Sequence, residues 1–494
     1  MLFNSLDFMI FFPIVVLVYF IIPKKIRYIW LLVASYYFYM CWNAEYALLI
    51  GTSTLITYLS GLLLDKASKT GVKKWIVALS FVSNIGILVF YKYFDFILEN
   101  VNVVLKNLDM QLVSNPFDII LPVGISFYTF QALSYTMDVY RGEIKAEKNP
   151  LRYALFVSFF PQLVAGPIER SKNLLNQVKE MEHIKLWNYD RVANGLMQMV
   201  WGLFQKMVIA DRVSVFVDFV YANLHTAGSF ETILAAIGFS IQIYCDFAAY
   251  STIAIGAAKV MGFELMENFD TPYFATSIKD FWRRWHISLS SWFKDYLYIP
   301  LGGNRKGKIR TYFNLLLTFF VSGLWHGAAW TYVVWGLIHG LLQVIGEFIA
   351  PLKNKIYDWC KIDRNSFSFK LGQILVTFSL TTLAWVFFRA ATFQEALYFF
   401  EKMFTGWNPW VLFNDSLYTW GLDRKEADIL LVAVFIMFLI EILKYVKNIS
   451  FSDFMVKQMF WFRWIVMIGM IVGILVYGQY GIYFDSNQFI YFQF

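Results

Sequence analysis

The sequence predicts an all-α polytopic membrane protein, and three observations carry that prediction. Of its 494 residues, 59% are hydrophobic and 20% aromatic, while 16% are charged, against about 25% charged in soluble chains. Apolar runs long enough to approach the thickness of a bilayer core recur from one end to the other. Basic residues gather in the short loops between them, as Lys24, Lys25 and Arg27, then Lys66, Lys69, Lys73 and Lys74, then Arg141, Lys145, Lys148 and Arg152. This is the pattern of the positive-inside rule. The net charge of +7 is too small a surplus to suggest nucleic acid.

The elements follow in order. The run 7–23 has no small-residue cleavage site before Pro23 and reads as a retained first span. Spans near 28–42, 45–64, 75–95 and 117–138 come next. The run 153–167 is short, holds Pro161 and Pro167 and is basic at both ends, which predicts a re-entrant segment rather than a crossing. Spans near 192–210 and 231–250 return the chain to the cytoplasmic side.

Residues 277–299 then predict one amphipathic helix lying along the membrane surface. Ser277 and Asp280 make a capping box. At 100° per residue, Phe281, Trp285, Leu289, Trp292 and Tyr296 share one side, and Lys279, Arg283, Arg284, Ser291, Lys294 and Asp295 fill the other. His286 falls at the edge of the polar arc, and Pro300 with Gly302-Gly303-Asn304 closes the helix. Residues 312–350 predict a helix pair with both ends inside, and spans near 371–388, 428–443 and 462–479 finish the chain. The sum is about a dozen transmembrane or re-entrant segments, with both termini extracytoplasmic. They read as one membrane domain over 1–494, with N-terminal helices (1–140), a core (141–350) and C-terminal helices with an aromatic tail (351–494).

Candidate chemistry centres on histidine. His326 lies in an apolar run between Trp325 and Gly327, about 20 Å along the helix from Tyr312. An ionisable group at that depth is costly unless partnered, and imidazole is suited to take a proton from an attacking hydroxyl. The residues alone leave two readings, a catalytic base or a structural histidine bonded to a neighbouring helix. His286 is likewise either functional or incidental to a packing stripe. The two would mark the ends of a path through the protein. Asp246 is an intramembrane carboxylate with Gln242 four residues earlier on the same face, a pair that suggests a buried network positioning a catalytic helix. His339 faces elsewhere if its helix is continuous with that of His326, and His183 and His225 lie in polar loops. Cys41, Cys245 and Cys360 are too few and too scattered for a disulfide framework or a cysteine metal site. No phosphate loop, HExxH or GxSxG pattern points to an ATPase, a zinc protease or a common serine hydrolase.

The segments LPVGISFYTFQALSYTMDVYRG (121–142), PQLVAGPIER (161–170), QIYCDFAAYS (242–251), the block 266–304, VSGLWHGAAWTYVVWG (321–336), WVFFRA (385–390) and FIYFQF (489–494) resemble the membrane-bound O-acyltransferase family. The likeness is strongest to its bacterial alginate O-acetyltransferase branch. The resemblance implies a ring of tilted helices around a thin centre crossed by a tunnel, in a bacterial cell membrane. It also implies an acyl group taken from a cytoplasmic thioester, acetyl-CoA or an acyl carrier, with no tightly bound cofactor and no metal. The group would cross the membrane for O-acetylation of a cell-envelope or extracellular polysaccharide, with an extracytoplasmic SGNH-type partner. His286 and His326 fall on the family's two histidines. Arg283, Arg284 and Lys294 would draw the donor's phosphates, and Trp325, Trp285, Asp246 and Gln242 would support the site. In the tail, Tyr491 is either an acyl relay, by analogy with a companion protein of teichoic acid D-alanylation, or part of an interfacial anchor. The competing functions are D-alanyl transfer to teichoic acid and a non-enzymatic subunit for polymer export.

Overall fold

The computed structural model describes residues 1–117, 121–480 and 490, and among them the chain is helical with no strand. It forms two compact units, one of residues 1–195 with 254–266 and one of residues 196–253 with 267–494.

The first unit holds α1 (Leu6–Ile21), α2 (Arg27–Met40), α3 (Tyr46–Lys66), α4 (Thr70–Asn107), α5 (Ile125–Tyr140), α6 (Pro150–Ser158), α7 (Phe160–Leu163) and α8 (Asn176–Glu180). Ser5 caps α1 by accepting from the Phe8 amide, and Asn149 caps α6 ahead of Pro150. Helix α5 is buried around almost its whole circumference. It packs so closely on α3 that a Cβ at Gly61 would stand 2.6 Å from the Tyr135 ring. The expected re-entrant run is two short helices that break at Phe159, just before Pro161. Helix α9 (Tyr189–Phe204) and α11 (Ser229–Met261) contribute to both units.

The second unit continues α9 through a π-helical turn, 205–210, directly into α10 (Asp211–Ala222). After α11 come α12 (Ile278–Arg284), α13 (Ile287–Phe293), α14 (Lys308–His326), α15 (Trp330–Trp359), α16 (Phe367–Arg389), α17 (Phe393–Phe404), α18 (Arg424–Lys447), α19 (Phe451–Val456) and α20 (Phe460–Tyr477). Its central feature is the α14–α15 hairpin, which two glycines bring into backbone contact. A Cβ on Gly323 would lie 2.3 Å from the Tyr332 carbonyl oxygen, and one on Gly336 2.3 Å from that of Phe319. Small residues at such crossings let helices approach where lipid offers no hydrophobic driving force.

Seven helices among the described residues are long and apolar enough to cross a bilayer: α3, α4, α11, α15, α16, α18 and α20, with α1 a shorter apolar helix. The chain is a multi-pass membrane protein. The count is smaller than the dozen segments expected because α1, α2, α5 and α9 have 16, 14, 16 and 16 residues, below the length of about 20 a straight span needs. The run 150–163 is two short helices, and α14, with 19 residues, is not apolar enough to join the seven. Helix α4 exceeds its expected range, running 38 residues through Lys92 and Asp95.

Gly336→Val is expected to destabilise the protein by about 1–3 kcal/mol, the usual cost of overpacking. Gly346→Ala, on the same helix with nothing within 4 Å of the added methyl, should lose nothing. Thermal unfolding in detergent compares them, and equal melting temperatures for the two variants would refute the close hairpin contact.

Candidate active site

The site begins where α12 stops. Its start follows the sequence: Ser277 Oγ accepts from the Asp280 amide at 3.2 Å, and Asp280 Oδ2 accepts from Thr276 N–H at 3.2 Å. The expected continuous surface helix does not form. The chain leaves the helix at Trp285, and His286 takes a left-handed conformation, φ 44° and ψ 54°. Two backbone bonds to the preceding loop replace the helical ladder, Asp270 N–H to the Arg284 carbonyl at 2.9 Å and Ile287 N–H to the Asn268 carbonyl at 3.0 Å. The break turns His286 inward, so that it is 0% exposed rather than at the edge of a polar arc. A non-glycine residue held in this region carries backbone strain that its surroundings must offset.

Asn268 supplies that support. Its Oδ1 accepts from the Ser288 amide at 3.2 Å and from Ser288 Oγ at 2.9 Å, and lies 3.1 Å from His286 Nδ1. Its Nδ2 donates to Ser251 Oγ on α11 at 3.0 Å. A backbone N–H can only donate, so Oδ1 is the acceptor and His286 Nδ1 carries the proton. The basic lone pair of His286 is therefore on Nε2. Burial pulls its pKa down to about 3, which keeps the ring neutral.

His326 is the last residue of α14, and Gly327 follows in extended conformation under the Tyr332 ring. Its imidazole is buried among Trp335 at 4.9 Å, Trp325 at 5.0 Å and Phe388 at 5.5 Å between ring centroids. The His286 and His326 rings stand 6.2 Å apart, with Trp325 5.8 Å from the former. The two histidines thus form one pair and do not mark opposite ends of a path. The expectation of separate ends assumed that His286 stayed on a surface helix, which the break at residue 285 prevents.

The other residues singled out from the sequence divide. Lys279, Arg283 and Lys294 line one 360 Å³ cavity with Trp282, Phe319 and Ser322. Arg283 and Lys294 are exposed and have no ion-pair partner among the described residues. Ser322 stands one helical turn before His326, which places it on the same face of α14. Arg284 does not line this cavity, because it bonds to Asp280 and Thr271 and its guanidinium lies over Tyr445. Trp285 packs against Phe269 and Trp385 at 5.0 Å each. The turn at 327–329 ends the continuity assumed for His339, which borders Trp335 at 5.1 Å in the same aromatic cluster as His326. Gln242 is buried, but the partner of Asp246 is Lys206, at 2.6 Å. Lys206 also pairs with Asp211 at 2.7 Å, and all three side chains are nearly inaccessible. Asn268, Lys206 and Asp211 were not identifiable as site residues from spacing, although FQKMVIADR placed two ion-pairing types unusually close within an apolar run. Tyr491 lies outside the described residues.

The depressed pKa of His286 has a definite sign in stability. Below its ordinary value of 6.5 the unfolded chain takes up a proton that the folded ring refuses. This contribution is therefore intact above pH 6.5 and shrinks as the pH falls toward 3. His286→Gln should flatten the acid side of a melting-temperature profile taken from pH 7.5 down to 5, and parallel profiles for the two proteins would refute the burial of a neutral ring.

Residues 146–367 match the family model described as MBOAT, membrane-bound O-acyltransferase family. The chain is 38% identical over 415 residues to a probable alginate O-acetylase of Pseudomonas aeruginosa, covering 82% of this chain and 75% of that protein. It is 37% identical over 430 residues to the peptidoglycan O-acetyltransferase of Helicobacter pylori, covering 80% and 78%. It is 29% identical over 291 residues to the teichoic acid D-alanyltransferase of Bacillus subtilis, covering 57% and 71%. With a buried histidine pair beside a basic cavity, seven candidate spans and this extent of identity, the chain belongs to the membrane-bound O-acyltransferase family and is an acyltransferase.

Proposed function

We propose that the protein transfers an acetyl group from a cytoplasmic thioester to a hydroxyl destined for a cell-envelope or extracellular polysaccharide, with His326 as general base. The observation that carries this reading is the buried His286–His326 pair, 6.2 Å between rings, one helical turn from a cavity with a basic mouth. Lys279, Arg283 and Lys294 offer charge to the phosphates of acetyl-CoA or of a carrier's phosphopantetheine, which is a substrate here and not a resident cofactor. The apolar remainder of the cavity suits the uncharged arm, and Trp282 and Trp335 stand between its inner wall and His326.

His326 takes the hydroxyl proton as the oxygen attacks the thioester carbonyl. The C–S bond then breaks, and the thiolate leaves with the proton that His326 returns. His286 faces the same reaction centre, with its own orientation held by Asn268. The Trp325 indole lies close enough to both rings to serve the developing oxyanion. The ring architecture, a tunnel between the two membrane faces, the extracytoplasmic termini, the bacterial cell membrane and an SGNH-type partner belong to this proposal. Relatives named for alginate and for peptidoglycan support a polysaccharide acceptor. The match to the teichoic acid enzyme covers less of the chain at lower identity, which favours acetyl over D-alanyl transfer.

In proteoliposomes supplied with labelled acetyl-CoA and the polysaccharide machinery, His326→Ala should lose transfer by about 10²- to 10⁴-fold, the contribution of a general base, while folding normally. Retained transfer would rule out the assignment and favour a non-enzymatic export role. Arg283→Ala and Lys294→Ala should raise the donor KM several-fold with little change in kcat, as loss of uniform binding does. Arg284→Ala should alter stability instead, and a KM effect as large as that of Arg283→Ala would contradict the assigned mouth.

A further inference from the structure

Among the buried charges that the transfer chemistry leaves unused are Lys206, Asp211 and Asp246. Lys206 belongs to the π-helical turn between α9 and α10, and its Nζ is gripped by one oxygen from each carboxylate. One ammonium between two carboxylates leaves the cluster with surplus acceptor capacity in an apolar setting, where unmet capacity is costly. Asp246 directs its remaining oxygen, Oδ2, to the backbone amide of Ile490, which donates at 2.7 Å across 244 residues of sequence. Ile490 is itself 1% exposed. A second tie lies in the same π-helical turn, where the Met207 carbonyl accepts from Gln479 N–H at 2.9 Å just beyond α20. Gln479 and Ile490 are therefore both fastened to the surroundings of Lys206.

The position of this fastening matters. Phe247, the neighbour of Asp246 on α11, packs edge-on against His286 with ring centroids 4.6 Å apart. Asp246 thus ties residue 490 to the helix segment that backs the histidine pair.

We propose that Asp246, held by Lys206, is the docking seat of residue 490, and acts as a positioning residue that ties it to the helix segment packed on His286. Lys206 fixes the carboxylate by occupying Oδ1, so that Oδ2 presents a charge-assisted acceptor to a main-chain amide. Asp246 recognises the backbone N–H at 490, and the buried Ile490 side chain adds packing beside it. The consequence for catalysis rests on the acyl-transfer reading, whereas the seating does not.

The test uses the full chain in membrane vesicles with the exposed Cys41 and Cys360 changed to serine and Phe494→Cys as reporter. A charged maleimide reads the accessibility of the segment, independently of activity. Ile490→Pro deletes the donor and should raise the labelling rate by about ten-fold or more, as loss of a charge-assisted hydrogen bond implies. Ile490→Leu keeps both the N–H and the buried volume and should stay near the parent rate. Asp246→Ala should match Ile490→Pro, and the double variant should go no further. Unchanged labelling in Ile490→Pro, or effects that multiply in the double variant, would overturn the seat. If Asp246→Ala does not fold, the proline and leucine pair at 490 decides alone. Acyl transfer should fall with labelling at constant donor KM, and full transfer by a released segment would overturn the positioning role.

Discussion

The carboxamide oxygen of Asn268 is the contact on which the site depends. It accepts from Ser288 twice and from His286 once, and in doing so it holds a left-handed histidine at the junction of two short helices. Without it, the stretch around Trp285 has every local reason to continue as a helix. The apolar stripe from Phe281 to Tyr296 would then lie flat, and His286 would return to the polar edge. One buried amide thereby converts an amphipathic surface pattern into an inward-facing base, and it also selects which ring nitrogen keeps the lone pair.

Aromatic packing supplies the second condition. Trp325, Trp335 and Phe388 enclose His326, and Phe247 backs His286. Low-dielectric walls penalise a charged ring, so two imidazoles can stand side by side without repulsion and still be ready to share one proton transiently. Formal charge is kept apart from them. Arg283 and Lys294 stay at the cavity mouth. Lys206 is neutralised by two carboxylates and tied to the segment beyond α20. The glycine contacts of the α14–α15 hairpin set where His326 ends its helix, so backbone closeness at Gly323 and Gly336 acts on chemistry a turn away.

Much of this was legible beforehand. The membrane class followed from composition, the α12 start from Ser277 and Asp280, and His326 from its cost in an apolar run. Arg283 and Lys294 were placed on one polar side by a helical count, and one cavity joins them. What escaped was whatever depends on a departure from regular helix. A wheel at 100° per residue cannot show a break at His286, so Arg284 was grouped with Arg283 although it turns to Asp280 and Tyr445. The same assumption separated two histidines that are neighbours. Asn268 and Lys206 act through partners 18 and 40 positions away, and no local period reports such distances.

The most direct measurement is the protonation state of His286. Nitrogen-15 spectra of imidazole-labelled protein in bilayers at neutral pH, assigned with His286→Gln, should show at 286 a neutral ring with a proton on Nδ1 and Nε2 bare. Replacement of Asn268 by alanine should disturb that signal first. An imidazolium at 286, or a proton resident on its Nε2, would contradict a neutral base set by Asn268.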